Sequence, residues 1–197
     1  LDNDGDVDLI GGGDYENGSI DNGAVTIRRN AGNGTFGSAE IILFANFVPM
    51  PKELTTGRIN GDAFPDIVAA VPSGRTPEGY VVINSNGSGA FNTPVDYEAS
   101  QQTFDVAVVD LDNDTDGDVI TLANSSAAVT VHENPGNGLF PVLTRYEVAS
   151  LSDAVESADI DHDGDIDIVV NGEVDIASND AVVKVLKNNR KGTFPPR

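Results

Sequence analysis

Four short stretches align on their acidic residues: LDNDGDVDLI (residues 1–10), RINGDAFPDIV (58–68), DLDNDTDGDVI (110–120) and DIDHDGDIDIV (159–169), all but the second with aspartates at alternate positions. In the last of these, Asp159, Asp161, Asp163 and Asp167 fall at loop positions one, three, five and nine, with Gly164 at the turn. Alternate carboxylates in a tight turn point into one concavity, and an all-oxygen donor set suits a hard cation such as Ca²⁺. Asp165, at position seven, offers its backbone carbonyl. Without a cation, so many neighbouring carboxylates repel one another. An EF-hand needs a glutamate at position twelve between helices. Here that position is Val170, in a β-like run, so the EF-hand reading fails. A solvated loop of Asx turns is the bland alternative, and repetition of the pattern weighs against it.

The other three loops are unequal versions of the same set. The third places Asp110, Asp112, Asp114 and Asp118 in register, with Asp116 at position seven, but Thr115 replaces the turn glycine. The first supplies Asp2, Asp4 and Asp8 as positions three, five and nine, with Gly5 at the turn and Asp6 at seven. Its position one would precede Leu1, so it is expected to be the weakest of three calcium sites. The second has Arg58 at position one, followed by Asn60, Asp62 and Asp66, with Ala63 at the turn and Pro65 at eight. It is expected to have lost calcium, the Arg58 guanidinium pairing with Asp62 and Asp66 where the ion would sit.

The elements that must hold these loops follow from the period. The ninth-position residues Asp8, Asp66, Asp118 and Asp167 are 58, 52 and 49 residues apart. A Gly turn keeps step with them: NAGNGTF (30–36), NGSGAF (86–91), NPGNGLF (134–140) and NRKGTF (189–194). Into the loop and between loop and turn run β-branched stretches of five to nine residues bounded by Gly, Asn, Pro and Ser: DVAVVDL leads into the third loop, and DVITLAN and AVTVHEN follow it. Repeats of this length with four short strands read as an all-β fold of four-stranded antiparallel meanders, the blades of a β-propeller. DVAVVDL, apolar on both faces, is expected to be the buried strand nearest the axis. The chain reads as one propeller-type domain over 1–197, with repeats at about 1–52, 53–102, 103–150 and 151–197. The first repeat lacks its first strand and the fourth its last. The expectation is therefore an arc of a larger propeller, whose end strands are not complementary for exchange.

Composition narrows the function. Formal charge is −21, from 32 acidic and 11 basic residues. That balance disfavours nucleic acid and anionic membranes, which attract cationic residues, and it leaves bound cations as the simplest stabiliser of a compact fold. There is no cysteine, so disulfides and thiolate metal sites are excluded. No apolar run approaches the ~20 residues of a membrane helix.

The pattern DIDHDGDIDIVV, followed by a strand and GTF, resembles the FG-GAP/VCBS repeat of integrin alpha-chain propellers and many bacterial secreted proteins. DIVAAVPSG (66–74) echoes the GAP segment of that family. The resemblance spans essentially the whole chain and departs at Arg58, Ala63 and Thr115. It implies a propeller with calcium in the hairpin loops between first and second strands, and an extracellular or cell-surface location. The family includes adhesion subunits, lectins and some polysaccharide-degrading enzymes, so membership alone does not fix a function.

Other motifs carry less. GNGTFG (32–37) matches a dinucleotide fingerprint, but that fingerprint needs a following helix, and a strand follows here. The turn phenylalanines read instead as wedges between blades. His132 and His162 have no partner motif. Neither a nucleophile elbow nor a zinc motif occurs, so no catalytic residue is assigned. Sequons at Asn17, Asn33, Asn86, Asn113 and Asn124 are what an Asn-rich composition produces. In a meander the acidic loops and Gly turns share one face. Opposite them lie GGGDYENGSIDNG (11–23), PSGRTPEG (72–79) and NGEVDIASND (171–180). Variable loops on a rigid scaffold are where binding residues concentrate, which makes Tyr15, Arg75 and Glu173 the ligand-binding candidates. The reading is a calcium-stabilised binding or adhesion module for a protein or glycan, without catalysis. The alternatives are the propeller portion of a secreted carbohydrate-active enzyme and a self-assembling unit of a surface filament.

Overall fold

A computed structural model describes residues 1–16, 21–44, 50–72, 79–99, 102–123, 127–148, 152–173 and 181–195. They form an all-β fold of four antiparallel sheets. Sheet 1 comprises β1 (Leu9–Glu16), β2 (Asp21–Arg28) and β3 (Glu40–Leu43). Sheet 2 comprises β4 (Glu53–Gly57), β5 (Asp66–Val71), β6 (Gly79–Ile83) and β7 (Val95–Glu98). Sheet 3 follows with β8 (Thr103–Val109), β9 (Asp118–Ala123), β10 (Ala128–Glu133) and β11 (Val142–Glu147). Sheet 4 holds β12 (Val155–Ala158), β13 (Asp167–Glu173) and β14 (Ala181–Leu186). Every strand pairs with its neighbour in sequence, so each sheet is a meander. The described sheets do not form a closed propeller.

The sheets pack face to face in chain order, and the period of two along each middle strand divides its side chains between neighbours. On β5, Ile67, Ala69 and Val71 meet Val25, Ile27 and Phe44 of the first repeat, while Val68 and Ala70 meet Val106 and Val119 of sheet 3. On β9, Ile120 and Leu122 turn the other way, towards Val155, Ile168 and Val170 of sheet 4. Strands buried on both faces read as continuous apolar runs for this reason, and β5, β6 and β9 are buried throughout. At the interface of sheets 2 and 3, Tyr80 stacks on Tyr97 (centroids 5.4 Å apart), and His132 and Phe140 meet Tyr80 edge-on.

Two expectations need correction here. The first strands are not the most buried: β8 is buried only at Thr103 and Val106. With β4 and β12 it lines a groove of about 500 Å³ that carries Glu53, Asp105 and Glu156, and an acidic groove keeps these strands wet. The segment around Tyr15 is also not a loop. Gly11, Gly12 and Gly13 continue β1, and Tyr15 pairs with Asn22 of β2. Glu173 likewise closes β13 opposite Ala181. Arg75 lies outside the described residues.

Candidate metal centres

The second, third and fourth acidic loops join the first and second strands of their sheets, the first leads into β1, and their backbones are built from left-handed turns. Position four has positive φ in all four loops, at Asn3, Gly61, Asn113 and His162. Position six does so at Gly5 (+94°), Thr115 (+82°) and Gly164 (+92°), but Ala63 does not. The second loop therefore lacks the second left-handed turn, the one that folds the other loops back on themselves. His162 is a turn residue with no other evident task.

Two loops draw their carboxylates together. In the third, Asp110, Asp112 and Asp118 place one oxygen each within 4.8 Å of the others; in the fourth, Asp159, Asp161 and Asp167 do the same. The position-five carboxylates fold inward instead. Asp114 accepts the Asp116 N–H (2.9 Å) and Asp163 accepts the Asp165 N–H (3.1 Å). Among the described residues no such trio forms from Asp2, Asp4 and Asp8 of the first loop, or in the second loop.

The position-nine aspartates have a further task that their spacing does not reveal. In the second, third and fourth repeats both carboxylate oxygens accept backbone N–H groups, one from the loop and one from the Gly turn. The donors are Ile59 and Ser85 to Asp66, Leu111 and Asn134 to Asp118, and Ile160 and Asn188 to Asp167, at 2.7–3.2 Å, and in the first repeat the Gly-turn amide of Asn30 donates to Asp8 (2.9 Å). Asp66, Asp118 and Asp167 are almost wholly buried. This clasp joins loop to turn whether or not a metal binds, which explains why the second loop keeps Asp66. It also corrects the expectation for Arg58, whose side chain is exposed. Amides occupy both oxygens of Asp66, Asp62 caps Phe64 N (2.8 Å), and Arg58 pairs with neither.

A guanidinium does enter an acidic loop, but it is Arg29 in the first, 3.5 Å from Asp8 and 3.7 Å from Asp2. In the fourth loop Lys187 pairs with Asp161 and keeps that carboxyl below its usual range. Arg190 takes the Asp165 side chain (3.1 Å), leaving its carbonyl as the group to consider. The third loop has no lysine or arginine partner among the described residues. There burial, and then the charges of Asp112 and Asp114, push Asp118 up to about 7. Burial and Asp114 raise Asp112 in the same way. The third loop is thus the place where a cation would relieve most. Its donors are all oxygens, as a hard divalent ion requires.

The Gly turns also bind one sheet to the next. Asn134 Nδ2 donates to Gly117 O of its own sheet (3.0 Å) and to Ile59 O of sheet 2 (2.6 Å). Asn188 repeats this with Ile166 O (3.0 Å) and Leu111 O of sheet 3 (2.7 Å). The asparagine opening the Gly turn, in step with the ninth aspartate, was the available sequence signal for both contacts. Phe91, Phe140 and Phe194 pack at the three sheet interfaces as expected, whereas Phe36 is exposed.

The chain matches the model of the FG-GAP-like repeat over residues 1–69 and 58–121. The matched stretches contain the first three acidic loops and stop short of the fourth. No curated protein matches the chain.

Proposed function

The chain belongs to the FG-GAP-like repeat family, and from that premise we propose that it is a calcium-stabilised, extracellular binding or adhesion module. Its four sheets are read as blades of a β-propeller, as one domain over 1–197. The observation that carries the proposal is the gathered Asp110, Asp112 and Asp118, with no lysine or arginine paired to them among the described residues. In this reading those three residues and Asp114 hold one Ca²⁺ with the Asp116 carbonyl. Asp159, Asp161, Asp163 and Asp167 hold a second with the Asp165 carbonyl, once Lys187 gives way. Asp2, Asp4, Asp6 and Asp8 form at most a weak third site, since Arg29 already stands there. The loop at 58–66 binds none.

The ion supplies stability rather than chemistry. Its charge offsets the repulsion within each loop and clamps the first hairpin of the repeat in the folded state alone, so binding energy becomes folding energy. Repeats of this family are generally non-catalytic, and no catalytic role is assigned. A protein or glycan ligand would bind on the face opposite the acidic loops, with Tyr15, Arg75 and Glu173 as the candidate contacts. No helix among the described residues is long and apolar enough to cross a membrane.

Thermal unfolding with and without chelator tests this reading. Calcium at a hundredfold excess over its dissociation constant adds about 2.7 kcal/mol per site, so chelation is expected to lower the Tm by several degrees. A curve unmoved by excess chelator contradicts it.

A further inference from the structure

One position beside the acidic loops changes its occupant from repeat to repeat. It is the residue directly before the Gly-turn clasp: Arg29, Asn84, Glu133 and Lys187, each seven residues ahead of the turn phenylalanine. The strand register makes the four equivalent. In every repeat the residue before it pairs with the residue after the ninth-position aspartate: Arg28 with Leu9, Ile83 with Ile67, His132 with Val119, and Leu186 with Ile168.

From this position the side chain reaches position three of its own loop. Arg29 stands 3.7 Å from Asp2, and Lys187 pairs with Asp161. Glu133 and Asp112, the position-three residue of the third loop, line one small cavity of about 90 Å³. In the second repeat Asn84 accompanies Asn60. Charge at the two places is thus balanced in three repeats: arginine or lysine comes to an aspartate, and asparagine to an asparagine. The third repeat alone sets a second carboxylate beside the first. Two neighbouring carboxylates repel, and a cation between them reverses the sign of that interaction.

Resting on the calcium reading of these loops, we propose that this position selects the cation of its loop. A lysine or arginine there neutralises the loop from within and competes with a metal ion for the position-three aspartate. Glu133 instead lends the third loop a carboxylate from outside the loop itself, which raises its affinity for a divalent ion. The second loop, with asparagine at both places, needs neither kind of cation.

Exchanging the charges tests the proposal. A lysine at 133 has the reach, since Lys187 meets its position-three aspartate from the same register position. In calcium titrations of the full chain, Glu133→Gln is expected to weaken the third site about tenfold and Glu133→Lys about a hundredfold, the effect of one and two unit charges beside a divalent ion. Lys187→Glu is expected to tighten the fourth site by a similar factor. Melting in chelator gives a reading free of metal. There Glu133→Lys should melt above the wild type, because the tethered ammonium relieves the bare loop, and Lys187→Glu below it. Affinities unchanged in both variants, with calcium bound by the wild type, would overturn the selector and leave the calcium reading standing. A wild type that takes up no calcium fails the calcium reading instead, and the melting shifts in chelator then decide the selector: if they are absent, it is wrong.

Discussion

Two residues sit where their chemistry is strained, and each gives a measurable consequence. Thr115 adopts φ +82° at the turn that Gly5 and Gly164 make in their own loops. A β-branched side chain is crowded there, so Thr115→Gly is expected to raise stability by up to about 1 kcal/mol. A denaturation midpoint that fails to rise contradicts this. His132 is buried between sheets 2 and 3, its Nε2 against Thr121 Oγ1 (3.1 Å), and burial pushes its pKa down to about 4. The unfolded chain protonates this imidazole near 6.5 while the folded chain does not until about 4. Stability is therefore lost as pH falls through that window, by about 3 kcal/mol in all. His132→Phe is expected to remove that share of the loss, read by denaturation at intervals between pH 7 and 4. Equal losses in both proteins refute the assignment.

At the scale of the element, the unit is a hairpin loop clasped to a Gly turn by an aspartate, with or without metal. Asp66→Ala leaves the Ile59 and Ser85 amides without their acceptor, at a cost of roughly 2–4 kcal/mol, and the loss should be the same in calcium and chelator. Asp112→Ala should behave oppositely, nearly silent in chelator and destabilising in calcium. If Asp66→Ala proves calcium-dependent, the clasp is wrong. The clasp was not legible in the spacing, where Asp118 and Asp167 read as metal ligands and Asp66 as a partner of Arg58. The strands and the acidic trios were legible, because β-branched runs and alternate aspartates are local patterns. The asparagine ties were not, since Asn134 and Ile59 lie 75 residues apart. The wetness of β8 was hidden for a similar reason, as the acidic groove exists only once β4, β8 and β12 come side by side. Arg29 was missed because the expected guanidinium was sought within a loop, and it arrives from the end of β2.

At the scale of the molecule, four stacked meanders carry a net charge of −21, and the interiors between them are ordinary apolar packing. What distinguishes these three loops is the protein cation each holds or lacks among the described residues: a guanidinium in the first, a lysine and a guanidinium in the fourth, none in the third. That ranking predicts the affinities. The third loop should bind calcium most tightly despite Thr115, and the fourth should bind less tightly because Lys187 must leave Asp161. Isothermal titration of calcium into the chelator-treated chain tests the central claim most directly. It should show two ions per chain, falling to one for Asp110→Asn/Asp112→Asn and to one for Asp159→Asn/Asp161→Asn. Absence of saturable heat, or a stoichiometry that neither double variant changes, would contradict the assignment of these loops as calcium sites.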